Sequence, residues 1–462
     1  MLMFFSSSYC VATMWRLKDN GRKDNGELTG QPKIDDPPLL SVRGKDSASF
    51  VDFLTNYMIA SSNNPFCPKT NPSGIVNMGT AVSRLMEKEL QDYIIKNNSL
   101  SYSSEYQHYF NFCGTDELRN GTADLLTRHL CPENPIDPSL MVFMNGVTSC
   151  LDALGHTLCD PGDVVITPTP CYGRIFTDFT DRSRVKVEPL HLSERNAKNG
   201  ETFYLDPSAL DARITELKSQ GSNVRAFIVL HPHNPLGDVY SAVQLRNLME
   251  VCAKHKVHFI SDEIYALSVF DEDTIMPSAF AIKDLPDPER THILWGFSKD
   301  LGLAGFRLGV IHSRNAEVLN CLNTVGSYQA TSHVTMHAAA TLINDKEWFD
   351  KFYLPTNKQK LRKAYDRACS KLEQMGVGVR KSKAAFFIWA NVQSFMKSKT
   401  EEEEMAIFDE LFEAGLYVVP GVKNHCQDPG WIRIVFTVSE EEIDVGLDRM
   451  ENVLKKRKKK SP

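Results

Sequence analysis

Short apolar runs rich in β-branched residues punctuate the middle of the chain, and each gives way to a polar turn or an amphipathic stretch. They are VVITP (164–168), RAFIVLHP (225–232), VHFISDE (257–263), HILWGFS (292–298) and RLGVIHS (307–313). They lack the alternation of a strand with one wet face, so they predict strands buried on both faces. Between two of them lies SAVQLRNLMEVCAKH, whose Leu245, Leu248, Val251 and Cys252 fall on one helical face, with Ser241 placed to cap it. Strand, helix and strand in repetition predict an α/β fold with a mainly parallel sheet. Ligands of such sheets collect at the carboxyl ends of the strands.

The last third changes character. NKQKLRKAYDRACSKLEQMGVGV predicts a long amphipathic helix stopped by Gly376, and AAFFIWANV and IRIVFTV predict strands. SEEEIDVGLDRMENVLKK opens with a capping box, Ser439 to Glu442. This pattern predicts a second, smaller α+β domain, as a length of 462 residues also suggests. The two ends read as unstructured. Residues 17–48 carry few large apolar groups, and KKRKKKSP reads as a solvated charge run.

Composition excludes several partner classes. A net charge of −6 gives no reason to expect nucleic acid, and no apolar run approaches a membrane span. The opening MLMFFSSSYCVATMW lacks a basic region ahead of its apolar residues and is not read as a signal peptide. The 11 cysteines are scattered, with no C-x-x-C pair and no zinc-site spacing, which predicts free thiols, no metal site and a cytoplasmic protein.

The polar residues that end the strands carry the chemistry. HPHNPLG offers Asn234, SDEIY offers Asp262 and Tyr265, and GFSKDLGLAGFRLG offers Ser298, Lys299 and Arg307. Together they suit a phosphorylated aromatic aldehyde with a ring nitrogen. A lysine amine condenses with the aldehyde once desolvation and a nearby cation lower its pKa. A carboxylate opposite the ring nitrogen keeps that nitrogen protonated. Asparagine and tyrosine can hydrogen-bond the phenolic oxygen, and a hydroxyl, an arginine and backbone amides at a helix start suit the phosphate.

Those phrases, with LPDPERTHILWGFSKDLGLAGFRLG and DPGWIRIVF, make the chain resemble the fold-type I pyridoxal-phosphate enzymes of the class I/II aminotransferase group. It is most similar to the 1-aminocyclopropane-1-carboxylate synthases, especially the animal synthase-like proteins, over roughly residues 50–455. The S-K-x-x-G-x-x-G-x-R-x-G pattern at 298–309 is the most specific element. The resemblance implies an aspartate aminotransferase-like fold, with a seven-stranded, mainly parallel sheet in the large domain. It divides the chain into an N-terminal segment (1–48), two parts of a small domain (49–109 and 334–455), a large domain (110–333) and a basic tail (456–462). It implies pyridoxal 5′-phosphate as cofactor, a small amino acid as substrate and a homodimer with shared active sites.

Residue by residue, the resemblance makes Lys299 the residue that condenses with the aldehyde and Asp262 the partner of the ring nitrogen. It sets Tyr265 and Asn234 on the phenolic oxygen, Tyr172 of PTPCYG on the ring face, and Ser298, Arg307 and the amides of Val147 and Thr148 on the phosphate. Arg433 of GWIRI would fork the substrate α-carboxylate.

Departures from the pattern fall on the substrate side. The synthases carry a glutamate where this chain has Val82, in MGTAVSRL, and a tyrosine reaching across from the partner subunit where it has Phe112. Tyr109 is placed to replace the latter. Ala384 and Ala385 stand where a glycine is usual and are expected to crowd the cleft. Ring closure on S-adenosylmethionine is expected to need the missing groups. The leading reading is therefore transamination or eliminative deamination of a small amino acid by Lys299, Asp262 and Tyr265. The alternatives are a cofactor-binding pseudoenzyme and a true cyclopropane synthase.

Overall fold

The structure is a computed structural model that describes residues 39–50, 52–195 and 202–460, with the side chains of 459 and 460 left out. The chain divides into two compact units, one up to Ala48 and the other from Ser49 onward. Most of the 1–48 segment lies outside the described residues. Within it, Val42–Ser49 is helical, started by a bond from the Gly44 amide to the Ser41 hydroxyl (3.1 Å). That corrects the expectation of an unstructured run to 48: a local turn bond forms a helix even though no residue of it is buried.

In chain order the strands are β1 (Val76–Asn77), β2 (Met141–Met144), β3 (Val164–Thr169), β4 (Lys186–His191), β5 (Val224–Leu230), β6 (His258–Asp262), β7 (Thr291–Gly296), β8 (Gly309–Ser313), β9 (Gly378–Arg380), β10 (Phe387–Asn391), β11 (Leu416–Tyr417), β12 (Val419–Pro420) and β13 (Trp431–Val435). Seven form one sheet in the order β2-β8-β7-β6-β5-β3-β4. Strands β7, β6, β5, β3 and β4 run parallel, while β8 is antiparallel to both β7 and β2. The five apolar runs read from sequence are β3, β5, β6, β7 and β8, and nearly all their residues are buried. Helices cover both faces, as the apolar composition of the strands requires. The helix Ala242–His255 is capped by the Ser241 hydroxyl, which accepts from the Gln244 amide at 3.2 Å.

A second, antiparallel sheet has the order β12-β13-β10-β9, and β1 pairs in parallel with β11. Its long helices are Leu354–Gln374, Glu401–Glu413 and Glu440–Lys460. The Ser439 capping box closes in both directions, with the Glu442 amide on the Ser439 hydroxyl (3.2 Å) and the Ser439 amide on the Glu442 carboxylate (3.0 Å). The tail departs from expectation. Helix Glu440–Lys460 continues through KKRKKK, because Arg457 is buried and bonds Glu403 and Glu410, and the Lys458 cation sits 4.6 Å from the Phe395 ring. Charge periodicity conceals that one face of the run finds acids and an aromatic ring to pack on. Residues 461 and 462 lie outside the described residues.

Candidate active site

Strand order decides where the site lies. After β4 the chain returns past β3 to form β5, so the direction of winding reverses between β3 and β5. A crevice opens at such a point, at the carboxyl ends of the strands. Tyr172 follows β3 and Asn234 follows β5, while Asp262 ends β6 and Ser298 and Lys299 follow β7. Val147 and Thr148 open the helix Val147–Leu158 behind β2, and Arg307 precedes β8. All of these, with Tyr265, line one cavity of about 180 Å³.

The Lys299 side chain is half-buried, and its amine donates to the carbonyl of Ala81 at 2.6 Å. Burial, and after it the charges of Arg433 and Arg307, lowers its pKa to about 8, against the pull of Asp262. A buried ammonium in a positive field gives up its proton more easily, so a usable fraction is a free amine near neutral pH. Asp300, next in the chain, fixes the turn that carries Lys299. Its carboxylate accepts from the Ser268 hydroxyl (2.6 Å), the Trp295 indole (2.9 Å) and the Leu267 amide (3.0 Å). Neither Asp300 nor Ala81 was marked by the sequence reading. An acid beside a candidate lysine was the available signal for Asp300. Nothing local signals a carbonyl from more than two hundred residues away.

Asp262 is 4% exposed, and the only hydrogen bond its carboxylate accepts among the described residues comes from the Ile264 amide (3.2 Å). Burial raises its pKa to about 7, with the Ile264 amide and Lys299 opposing. A carboxylate so placed calls for a positively charged or proton-bearing partner. Beside it, the buried Tyr265 hydroxyl is raised well above its ordinary value, first by burial.

The start of helix Val147–Leu158 has no side-chain cap, so Thr148 is not serving as one. Among the described residues the amides of Val147 and Thr148 have no acceptor, which leaves them free for an anion. Two glycines make room there. Gly146 has φ +104, and a Cβ on it would lie 2.4 Å from Arg307 Nη2. A Cβ on Gly309 would lie 2.6 Å from the Val147 nitrogen. Only glycine lets the arginine and the neighbouring strand approach this turn so closely.

Arg433 does not line that cavity, yet it adjoins it. Its Nη1 donates to Asn234 Oδ1 (3.2 Å) and its Nη2 to the Gly79 carbonyl (2.8 Å), while its guanidinium lies 5.0 Å from the Phe387 ring. It is 2% exposed, forms no ion pair among the described residues and leaves Nε without an acceptor. A buried cation that has no anion is costly, and a carboxylate ligand relieves that cost.

The structure also locates the departures. Val82 is half-buried and accepts from the Thr437 hydroxyl through its carbonyl (2.9 Å), so its side chain supplies no polar group to the cleft. Phe112 packs among Tyr109 and Phe110. Tyr109 is 94% exposed and takes no part in the cavity of its own chain. Ala384 and Ala385 correct an expectation. Both are fully buried and neither lines the cavity, so they do not crowd it. What the missing glycine changes is backbone: Ala385 has φ +66, where a side chain is strained.

Among the described residues no cluster of histidine, cysteine and acid could hold a metal ion, and no helix is long and apolar enough to cross a membrane.

Residues 73–450 match the family described as aminotransferase class I and II. A Homo sapiens protein named probable inactive 1-aminocyclopropane-1-carboxylate synthase-like protein 2 is 32% identical over 422 residues, covering 91% of this chain and 74% of its own. The 1-aminocyclopropane-1-carboxylate synthase 7 of Arabidopsis thaliana is 30% identical over 438 residues, with 91% and 95% covered. Among solved structures, aspartate aminotransferase from Thermus thermophilus with maleate superposes with a TM-score of 0.71 at 20% identity, over 90% of this chain and 99% of the other. At that identity the likeness speaks for the fold alone, which is the aspartate aminotransferase-like α/β fold. The chain therefore belongs to the class I and II aminotransferases, a pyridoxal-phosphate-dependent family, and within it stands with the 1-aminocyclopropane-1-carboxylate synthase-like proteins.

Proposed function

We propose that the protein is a pyridoxal 5′-phosphate enzyme that transaminates or eliminatively deaminates a small, uncharged α-amino acid. One observation carries this reading. A half-buried lysine with its pKa lowered to about 8, a buried and underpartnered carboxylate and free helix-start amides meet in one cavity, and a buried guanidinium with no ion pair among the described residues adjoins it.

The residues present fit the cofactor. Val147 and Thr148 offer amides to its phosphate, Ser298 a hydroxyl and Arg307 a guanidinium. Asp262 would hold a proton on the ring nitrogen, and Asn234 and Tyr265 would hold the phenolic oxygen. Tyr172 would lie against the ring. When bound, the cofactor supplies an electron sink for the bonds of the substrate α-carbon. The chain supplies the rest. Arg433 forks the α-carboxylate, and the Lys299 nitrogen takes and returns the α-proton, a task suited to a base poised near neutrality. Burial of Asp262 and Arg433 keeps water from weakening either contact.

A partner subunit would complete the site. Tyr109, exposed beside Phe112, supports a homodimer in which it reaches the neighbour's cofactor. Light scattering is expected to give twice the chain mass, and a monomer that binds cofactor tightly would count against the arrangement. Every described cysteine is a free thiol, which supports a cytoplasmic location.

Substrate choice follows from Val82 and Phe112. S-adenosylmethionine brings a sulfonium cation, and a valine in place of a carboxylate leaves that charge without a partner in an apolar setting. Small aliphatic amino acids meet no such penalty. Product assays on purified protein are expected to give keto acid from such an amino acid and no cyclopropane product from S-adenosylmethionine. Val82→Glu with Phe112→Tyr is expected to shift the protein toward the synthase reaction. Cyclopropane formation by the wild type would overturn the substrate assignment. A second reading, a cofactor-binding protein without turnover, is favoured by the same two substitutions and by the name of the Homo sapiens relative. Keto acid above background from any of the amino acids excludes it.

A further inference from the structure

A second cavity, of about 290 Å³, lies at the opposite edge of the large sheet. Where the candidate active site collects residues from the carboxyl ends of β5, β6 and β7, this one collects residues from their amino ends. Arg225 is the second residue of β5, His258 the first of β6, and Arg290 immediately precedes β7. Over the length of β6 the two cavities are about 13 Å apart at the usual rise of a strand.

The polar groups of this cavity are incompletely used. Arg225 Nε donates to the Leu158 carbonyl (2.9 Å) and stands 3.9 Å from Asp163, which leaves its two terminal nitrogens without a partner among the described residues. Arg290 pairs with Asp287 through Nη1 alone (2.8 Å). Glu289 and Glu317 also line the cavity; both are exposed, and neither forms an ion pair among the described residues.

His258 is 7% exposed, and its proton can be placed. Its Nδ1 lies 2.9 Å from His292 Nε2, and His292 Nδ1 lies 3.0 Å from the Ser313 hydroxyl. That hydroxyl already accepts from the Asn315 amide (3.2 Å), and Ser313 is fully buried. Its own proton has one available acceptor among the described residues, His292 Nδ1. Satisfying it fixes the chain of donors: Ser313 to His292, His292 to His258. His258 therefore carries its proton on Nε2, the nitrogen that no residue engages. Burial first, then the charges of Arg225 and Arg290, hold this histidine down to about 4 against Asp287, so it stays neutral in that tautomer.

We propose that this cavity binds a small zwitterion, with its carboxylate against Arg225, Arg290 and the His258 Nε2–H and its ammonium group at Glu289 and Glu317. Two guanidiniums and an N–H donor suit a carboxylate. The two exposed acids argue against a plain anion, because they cancel the net charge, but suit a molecule that carries an ammonium at its other end.

Equilibrium dialysis with radiolabelled γ-aminobutyrate and with butyrate tests this on the full-length protein. Arg225→Gln and Arg290→Gln are each expected to weaken γ-aminobutyrate about tenfold, the effect of one charge-assisted hydrogen bond. Glu289→Gln with Glu317→Gln is expected to weaken γ-aminobutyrate and to strengthen butyrate, so that the preference between them narrows or reverses. Arg433→Ala is expected to retain binding, which separates this cavity from the active site. No binding at about 10 mM, equal affinity for butyrate, loss in Arg433→Ala, or full retention in both arginine variants would each overturn the proposal. Circular dichroism of each variant excludes simple unfolding. None of these measurements involves the cofactor, so the reading of the active site stands or falls separately.

Discussion

Replacing Lys299 with methionine is expected to leave a folded protein that pyridoxal 5′-phosphate enters but that borohydride no longer fixes to the chain. Turnover should fall by about 10² to 10⁴, the contribution of a positioned acid–base group. The same variant should be more stable than wild type in the cofactor-free state at pH 7. The reason is linkage. Unfolded, the lysine keeps its proton up to its ordinary 10.5; folded, it gives the proton up near 8. The folded state thus carries a penalty that is full below pH 8 and gone once the pH passes 10.5. That span corresponds to about 3 kcal/mol. Methionine, of similar volume, carries no such penalty. Chemical denaturation at pH 7 and at pH 10 checks this, and the advantage should shrink at the higher pH. An equal advantage at both values, or borohydride labelling of a different lysine in the wild type, would refute the assignment.

Arg433→Ala is expected to weaken every α-amino acid that the wild type binds by about 2 to 5 kcal/mol, roughly 30-fold to several-thousand-fold. The magnitude follows from burial. In the folded protein the guanidinium has a carbonyl, an amide oxygen and an aromatic ring around it but no anion among the described residues, so a carboxylate gains a charge-assisted pair there. Cofactor retention should survive, because the residues that line the cavity do not include Arg433. Titrating amino acids against the cofactor absorbance reads both quantities in one experiment. An unchanged amino-acid response would show that the carboxylate binds elsewhere.

The strands were legible because two buried faces leave no choice of residue, and their ends were legible because polar groups there interrupt apolar runs. Ser241 and the Ser439–Glu442 box were read from spacing alone, since a cap is a bond within three residues. The helix at Val42–Ser49 and the docked tail were misread. Both depend on a few particular bonds, and neither carries an apolar stripe strong enough to announce itself. Ala385 shows the same limit at one residue. The sequence marks the missing glycine, but only the fold reveals that the change strains the backbone and leaves the cavity untouched.

Sequence by itself indicated the α/β class and the polar residues that end the strands, Asn234, Asp262, Tyr265, Ser298 and Lys299, while Tyr172, Val147, Thr148 and Arg433 followed from the family resemblance. Local patterns encode the class and the strand ends, because hydrophobic period and strand-end chemistry act over a few residues. Tertiary structure alone decided that Gly79 and Ala81 lend carbonyls to Arg433 and Lys299, that Asp300 ties the lysine turn to Ser268, and that Arg225, His258 and Arg290 share a second cavity. Each of those contacts joins segments far apart in the chain. Their geometry follows from strand order and from where burial leaves a polar group in need of a partner, and neither is written in any short stretch of sequence.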